Sequence, residues 1–305
     1  MKLATCPNCN SPEVLIRSGG RLLPFFTKRV FEIEPPTAAS LLPQRIGRCF
    51  TWLTDAIPGL SWLGQARPLQ CDILICEACD FVCPAIDITE NQLLNLYRDY
   101  RSASYNAERT RYEPAYRKLA PFVGKSPAEH RARMSHVDAF LSDVPLMSSV
   151  GEVLDYAGAE GLFIPTALLE RCHCTIYEVS DVSPCRPEIR KTNDPAQLGS
   201  FDYIQVCHLL EHVRRPRALM KSLIRHLRSK GMIYIEVPKE ASELAIGRLR
   251  SGDRTFPIHE HINLYTERSL AALVKSVGLR LLKMGSEELD LGWCRATVLS
   301  AVGAP

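Results

Sequence analysis

From Val150 onward, short apolar runs alternate with amphipathic stretches. EVLDYA (152–157) reads as a buried strand, and GLFIPTALLERC (161–172) as a helix with Pro165 near its first turn. CTIYEVS (174–180) predicts a second strand, EIRKT (188–192) a weak third and FDYIQVCHL (201–209) a strong fourth. PRALMKSLIRHLRSKG (216–231) predicts a helix ending at Gly231, a favourable residue just past a helix end. MIYIEVP (232–238) is a fifth strand, ERSLAALVKSVG (267–278) a helix, and LRLLKMGS (279–286) and CRATVLSAV (294–302) are two closing strands. Strands alternating with helices imply βαβ units and a doubly wound α/β sheet, whose ligands sit at the carboxyl ends of the strands near the switch point.

Ahead of that region the pattern changes twice. Residues 89–149 are rich in helix formers, with Leu93, Leu94, Leu96, Tyr97 and Tyr100 near helical spacing and prolines at 114 and 121 marking breaks. They predict a helical cap bearing an aromatic and arginine-rich face. Residues 1–88 hold seven of the twelve cysteines, and the prolines between the two Cys-x-x-Cys pairs exclude one long helix there. Trp52 and Trp62 give that stretch enough apolar mass to be an ordered insertion. The boundaries read 1–88, 89–149 and 150–305.

The net charge of +3 is too small to argue for a nucleic-acid partner, and hydrophobic residues at 46% supply a sizeable core. The sequence has no apolar run long enough for a membrane span, and its first residues are too short and polar for a signal peptide. A cytoplasmic, reducing location follows as the expectation, and there close cysteine pairs point to metal before disulfides. Cys6–Cys9 and Cys76–Cys79 would place four thiolates around a tetrahedral ion, with structural zinc favoured and Cys71 and Cys83 in reserve. A redox pair and free buried cysteines are the competing readings.

The first strand runs into Asp155-Tyr156-Ala157-Gly158-Ala159-Glu160-Gly161, and the second ends at Glu178. A tight turn of small residues lets a nucleotide-like ligand approach the backbone. An acidic residue at the second strand's tip can accept hydrogen bonds from two ribose hydroxyls. By themselves these features leave a dinucleotide oxidoreductase, or a loop that only packs, open.

The stretch 201–238, FDYIQVCHLLEHVRRPRALMKSLIRHLRSKGMIYIEVP, resembles class I S-adenosylmethionine-dependent methyltransferases. The resemblance covers about residues 150–300 and implies a Rossmann-like, seven-stranded methyltransferase sheet. It places Asp155, Tyr156, Ala157 and Gly158 along the methionine moiety and Glu178 on the ribose, with Val179, Cys207, His208 and His212 completing the site. In the family's loop Ala157 and Ala159 are usually glycines, so they require φ below zero or a shifted loop. The 89–149 helices look like those that cap the cofactor in this group. Tyr105 and Arg109 lie on them, and Arg109 is the candidate partner of the methionine carboxylate. The alternative is a solvated helix whose tyrosines pack on the sheet domain.

HEHINLYTERSL (259–270) resembles a segment of sugar C-methyltransferases and relatives, which also carry a zinc-binding N-terminal segment. The resemblance implies His261 as base and Glu260 as its partner, with His259 nearby. The same residues could instead bind metal. The expected acceptor is a small polar metabolite such as a nucleotide sugar or glycan, methylated on oxygen or carbon. Two other readings remain: an RNA methyltransferase or binder using the zinc segment, and a cofactor-binding scaffold without turnover.

Overall fold

The computed structural model describes residues 4–36 and 66–305. The predicted insertion with Cys49, Trp52 and Trp62 lies outside the described residues. No helix among the described residues is long and apolar enough to cross a membrane.

Two sheets organise the chain. The first four strands in chain order are β1 (Val14–Leu22), β2 (Leu69–Cys76), β3 (Val82–Pro84) and β4 (Glu152–Tyr156). They are followed by β5 (His173–Tyr177), β6 (Arg190–Thr192), β7 (Phe201–Cys207), β8 (Leu227–Pro238), β9 (Phe256–Ile258), β10 (Arg280–Asp290) and β11 (Arg295–Ala304). The larger sheet has the order β10-β11-β8-β7-β4-β5-β6. Strands β4 to β8 pair in parallel, and β11 inserts antiparallel between β8 and β10. Strand β4 pairs with β5 on one side and β7 on the other, which makes its carboxyl end the topological switch point. Buried on both faces, these strands read as near-continuous apolar runs, as in Met232, Ile233, Tyr234 and Ile235 of β8.

The smaller sheet, β3-β2-β1-β9, ties the two ends of the chain together. Strand β9 comes from the segment expected to belong wholly to the larger domain. It pairs in parallel with β1 through Gly20 and Phe256 immediately before His259. Among the described residues four α-helices precede β4: α1 (Pro24–Phe31), α2 (Glu90–Tyr97), α3 (Ala103–Tyr112) and α4 (Pro127–Leu141). Helix α2 starts at a capping box made by Thr89 and Gln92, and Ser102 and Ser126 cap α3 and α4.

Two predicted helices are shorter than expected. Of 161–172 only Thr166–Leu169 is helical, because Pro165 at its N-cap leaves the preceding residues without an intrahelical donor. The helix begun at Pro216 ends at Ile224, and Gly231 lies inside β8 rather than past a helix end. A Cβ at Gly231 would sit 2.9 Å from the carbonyl oxygen of Asp202, so glycine serves a close approach of neighbouring strands.

Gly20 is squeezed between its partners in β2 and β9, where a Cβ would meet Cys71 Sγ at 2.5 Å and Ile73 Cγ2 at 2.9 Å. Gly20→Val should therefore destabilise the protein by about 2 kcal/mol through overpacking, read as a lower urea midpoint. An unchanged midpoint would show that β1, β2 and β9 are not tightly packed here.

Candidate functional site

At the end of β4, Asp155 is 1% exposed. Its Oδ1 accepts a 3.3 Å hydrogen bond from Gln205 Nε2, and its Oδ2 has no partner among the described residues. Burial pushes its pKa up to about 7. A Cβ on Gly158 would lie 2.0 Å from that orphan oxygen, so only glycine leaves the carboxylate its room. Ala157 and Ala159 do not take negative φ as expected. They stand at φ 59° and 50°, the left-handed conformation glycine usually supplies. The loop keeps its shape and carries strain of about 1 kcal/mol per alanine.

Glu178 follows β5 and closes on the same loop: Oε2 accepts from Ala159 N at 3.1 Å and Oε1 from Ser180 N at 2.8 Å. It stands at the sheet's carboxyl edge, beside exposed Val179. Tyr156 and Tyr177 stack at 4.7 Å on the paired strand ends. Next to them Cys207 ends β7, and burial raises its thiol well above the usual range. His208 has φ 49° and bonds Glu236 Oε1 through Nε2 at 2.8 Å, with Nδ1 3.4 Å from Glu211 Oε1. Burial and Arg133 oppose its charge, but the bonds to Glu211 and Glu236 win and raise its pKa.

Arg109 is found on the other side of the site. Its guanidinium is 2.7 Å from Glu260 and 3.3 Å from Glu113, and stacks 3.8 Å over Tyr116. Tyr105 also bonds Glu260, at 2.5 Å. Two carboxylates balance Arg109, and nothing places it beside Asp155. The cation near the cofactor edge is Arg133 on α4, which sequence reasoning missed. It lies 3.6 Å from Glu236 Oε1, stacks 4.2 Å over Phe163, and its charge acts on Asp155, Cys207 and His208. Its Nε is buried without a partner.

The acceptor segment docks on the turn after β7. Ile262 and Asn263 donate to the Glu211 carbonyl at 2.9 and 3.0 Å, and Asn263 Nδ2 donates to the carbonyls of Leu210 and Val213. His212, His259 and His261 cluster, with ring centroids 4.8 and 4.9 Å from His261. The carboxylate on His261 is Glu240, at 2.7 Å from Nδ1, and not the expected Glu260, which turns to Tyr105 and Arg109. Burial, with the charge of His261, lowers the His259 pKa to about 4, whereas Glu240 raises that of His261. A cleft of about 110 Å³ opens beside Glu240 and His259, lined also by Ala241, Leu249, Arg254 and Phe256. Glu240 had a sequence signal that went unused, an acid two residues beyond the end of a central strand.

The four expected cysteines converge. Cys6–Cys79 and Cys9–Cys76 sulfur separations are 3.9 and 3.7 Å, and all four lie within 4.8 Å of one another. A tetrahedral zinc at about 2.3 Å from each thiolate needs sulfur–sulfur edges of about 3.8 Å, so the set fits. Asn10 and Asp80 supply the left-handed residue that closes each knuckle. Asn8 links the cluster to the larger domain, donating to Cys79 Sγ at 3.7 Å and Ser269 O at 2.8 Å. Cys71 and Cys83 are not in this cluster.

Comparison with known proteins adds the family. A family model described as a methyltransferase domain matches residues 112–284. No curated protein matches the sequence. Solved structures similar to the chain include a 1,6-didemethyltoxoflavin-N1-methyltransferase from Burkholderia thailandensis: 16% identity, 74% of this chain and 96% of that one covered, TM-score 0.43. Others are a magnesium protoporphyrin IX methyltransferase from Synechocystis (15%, 68% and 99%, 0.43) and an N-methyltransferase from Bradyrhizobium japonicum (14%, 59% and 88%, 0.39).

An ionised Asp155 is stabilising only with a cation beside it. Its folded pKa lies above the unfolded value, so the folded protein holds a proton that the unfolded chain has released between about pH 4 and 7. Stability therefore falls as pH rises through that window, at up to about 1.4 kcal/mol per unit. Asp155→Asn should raise the melting temperature of the ligand-free protein at pH 8, with the gain vanishing near pH 4, while abolishing cofactor binding. A variant that melts lower at pH 8 would contradict this.

The seven-stranded order, the switch-point loop and the matched span together show that the chain belongs to the methyltransferase-domain family and is a class I S-adenosylmethionine-dependent methyltransferase.

Proposed function

We propose that the enzyme methylates an oxygen or carbon of a small polar acceptor of the nucleotide-sugar or glycan type. The observation that carries this reading is the histidine–carboxylate cluster of His259, His261 and Glu240, which adjoins an open cleft and meets His212, four residues on from His208. A hydroxyl, or a carbon beside a carbonyl, must lose a proton as it gains a methyl, and an imidazole held by a carboxylate suits that task.

S-adenosylmethionine supplies an already activated methyl group, so the protein contributes alignment and proton handling. The residues fit it. The orphaned, buried Asp155 Oδ2 suits the methionine ammonium, and the room guarded by Gly158 keeps that oxygen accessible. Glu178 would leave its bonds to the loop for the ribose hydroxyls, and Arg133 is the cation within reach of the methionine carboxylate. Tyr156, Val179 and Cys207 would line the remainder. His212 and His208 bridge the two halves, and Tyr105 with Arg109 holds Glu260 and hence the acceptor segment. The left-handed alanines keep the loop's shape, which favours a working site over a degenerate scaffold.

Calorimetry with S-adenosylmethionine should show binding that weakens at least about tenfold in Glu178→Ala, the loss of two hydrogen bonds to a charged group. His261→Gln should bind the cofactor normally and lose about a hundredfold or more in transfer of labelled methyl onto a nucleotide-sugar panel. Equal transfer by both proteins would remove the histidine cluster from the chemistry.

We also propose that the four-cysteine site holds structural zinc, since four thiolates leave no open position for chemistry. Elemental analysis should give about one zinc per chain, lost in Cys79→Ser together with a clear drop in melting temperature. A metal-free chain of unchanged stability would overturn this assignment.

A further inference from the structure

Glu211 is fully buried, and neither carboxylate oxygen has a well-formed hydrogen bond: His208 Nδ1 stands 3.4 Å and His212 Nε2 3.7 Å from Oε1. Such a carboxylate, flanked by imidazoles at long distance, lacks the close donors that normally accompany burial. His212 Nε2 is 3.7 Å from its Oε1, and His261 joins the two so that one donor atom of each lies within 4.8 Å of the others.

The outward hydrogen bonds of the two histidines set their tautomers. His212 Nδ1 meets the Tyr97 hydroxyl at 2.7 Å and the Glu260 carbonyl at 2.9 Å; with the Tyr97 hydroxyl donating to that same carbonyl, Nδ1 carries a proton. His261 Nδ1 meets Glu240 Oε1 at 2.7 Å and donates likewise. In both rings Nε2 is then the lone-pair nitrogen. A metal-bound histidine has this same arrangement: one nitrogen on the ion, the other donating to a carbonyl or carboxylate that fixes the ring. Two imidazoles and one carboxylate form a facial ligand set that leaves positions open for a substrate.

We propose that Glu211, His212 and His261 hold a divalent transition-metal ion, distinct from the four-cysteine zinc, whose open positions take oxygen atoms of the acceptor. The inference rests on the reading of this cluster as the acceptor's end of the site. It restricts the acceptor to molecules offering a hydroxyl or keto oxygen, preferably two adjacent ones, and leaves His259 as the histidine free to accept a proton.

The test is Mn²⁺ titration of the full, zinc-loaded chain, following loss of the free-ion electron paramagnetic resonance signal. Mn²⁺ prefers nitrogen and oxygen ligands and leaves the thiolate site alone. The expected result is about one Mn²⁺ bound per chain, with affinity reduced at least about tenfold in Glu211→Gln, in His212→Gln and in the outer-sphere variant Glu240→Gln. Glu288→Gln, on the far end of β10, should bind as the natural protein does. Adding a vicinal diol sugar should change the bound-ion spectrum. Absence of binding, or binding that survives both Glu211→Gln and His212→Gln with melting curves intact, overturns the site. The acceptor reading fails separately, at the histidine outside the ligand set: it is refuted if His259→Gln transfers methyl normally, whatever Mn²⁺ does.

Discussion

The buried Glu211 is the point at which the turn after β7 is joined to the histidine segment 259–263. Its backbone carbonyl accepts from Ile262 and Asn263 and so fixes the acceptor segment, while its carboxylate faces His208 on the cofactor side and His212 on the other. Burial would drive a lone carboxylate toward its neutral form, yet the imidazoles around it hold it ionised at about 2. Around it stand further side-chain contacts: Tyr97 on His212, Glu240 on His261, and Tyr105 and Arg109 on Glu260.

The cofactor half is organised by unmet demand. Asp155 is buried with one oxygen unpartnered, Arg133 stacks on Phe163 with an unpartnered Nε, and two alanines hold a left-handed backbone. Each of these reduces the stability of the ligand-free chain, and in the proposed binding mode a zwitterionic ligand with an ammonium and a carboxylate would meet the two unpartnered charges. The four-cysteine cluster works on the opposite side of the balance. Cys6, Cys76 and Cys79 lie in the same core as Leu210, Tyr265 and Ile235, so a metal there stiffens the packing beneath the acceptor turn. Strand β3 continues that connection, with Leu264 N donating to Val82 O at 2.9 Å just after the histidines.

Much of this could be read from the sequence, and the failures have physical causes. The alternation of apolar runs with helical stretches located the seven strands of the larger sheet, most plainly β4, β7 and β8, which are buried on both faces and so nearly uniformly apolar. The two Cys-x-x-Cys pairs converged despite their distance in the chain, because a knuckle is a local turn and the ion joins the pairs. Gly231 misled, since glycine marks both a helix end and a close approach of strands, and only the neighbouring Asp202 carbonyl decides. Arg109 and Arg133 are alike in sequence, each on a helix without a strong apolar stripe. Which one faces Asp155 depends on how α4 lies across the sheet. The resemblance to sugar C-methyltransferases pairs Glu260 with His261, yet successive side chains in an extended segment point to opposite sides. That leaves Glu240, at the end of β8, to meet the ring.

The most direct test of the account is a crystal structure of the chain with S-adenosylhomocysteine. The account requires density at the switch point beyond β4, with the amino group on Asp155, the ribose hydroxyls on Glu178 after it leaves Ala159, and the sulfur facing the histidine cluster. A ligand bound elsewhere, or one that leaves Asp155 unpartnered and Glu178 on the loop, would contradict it.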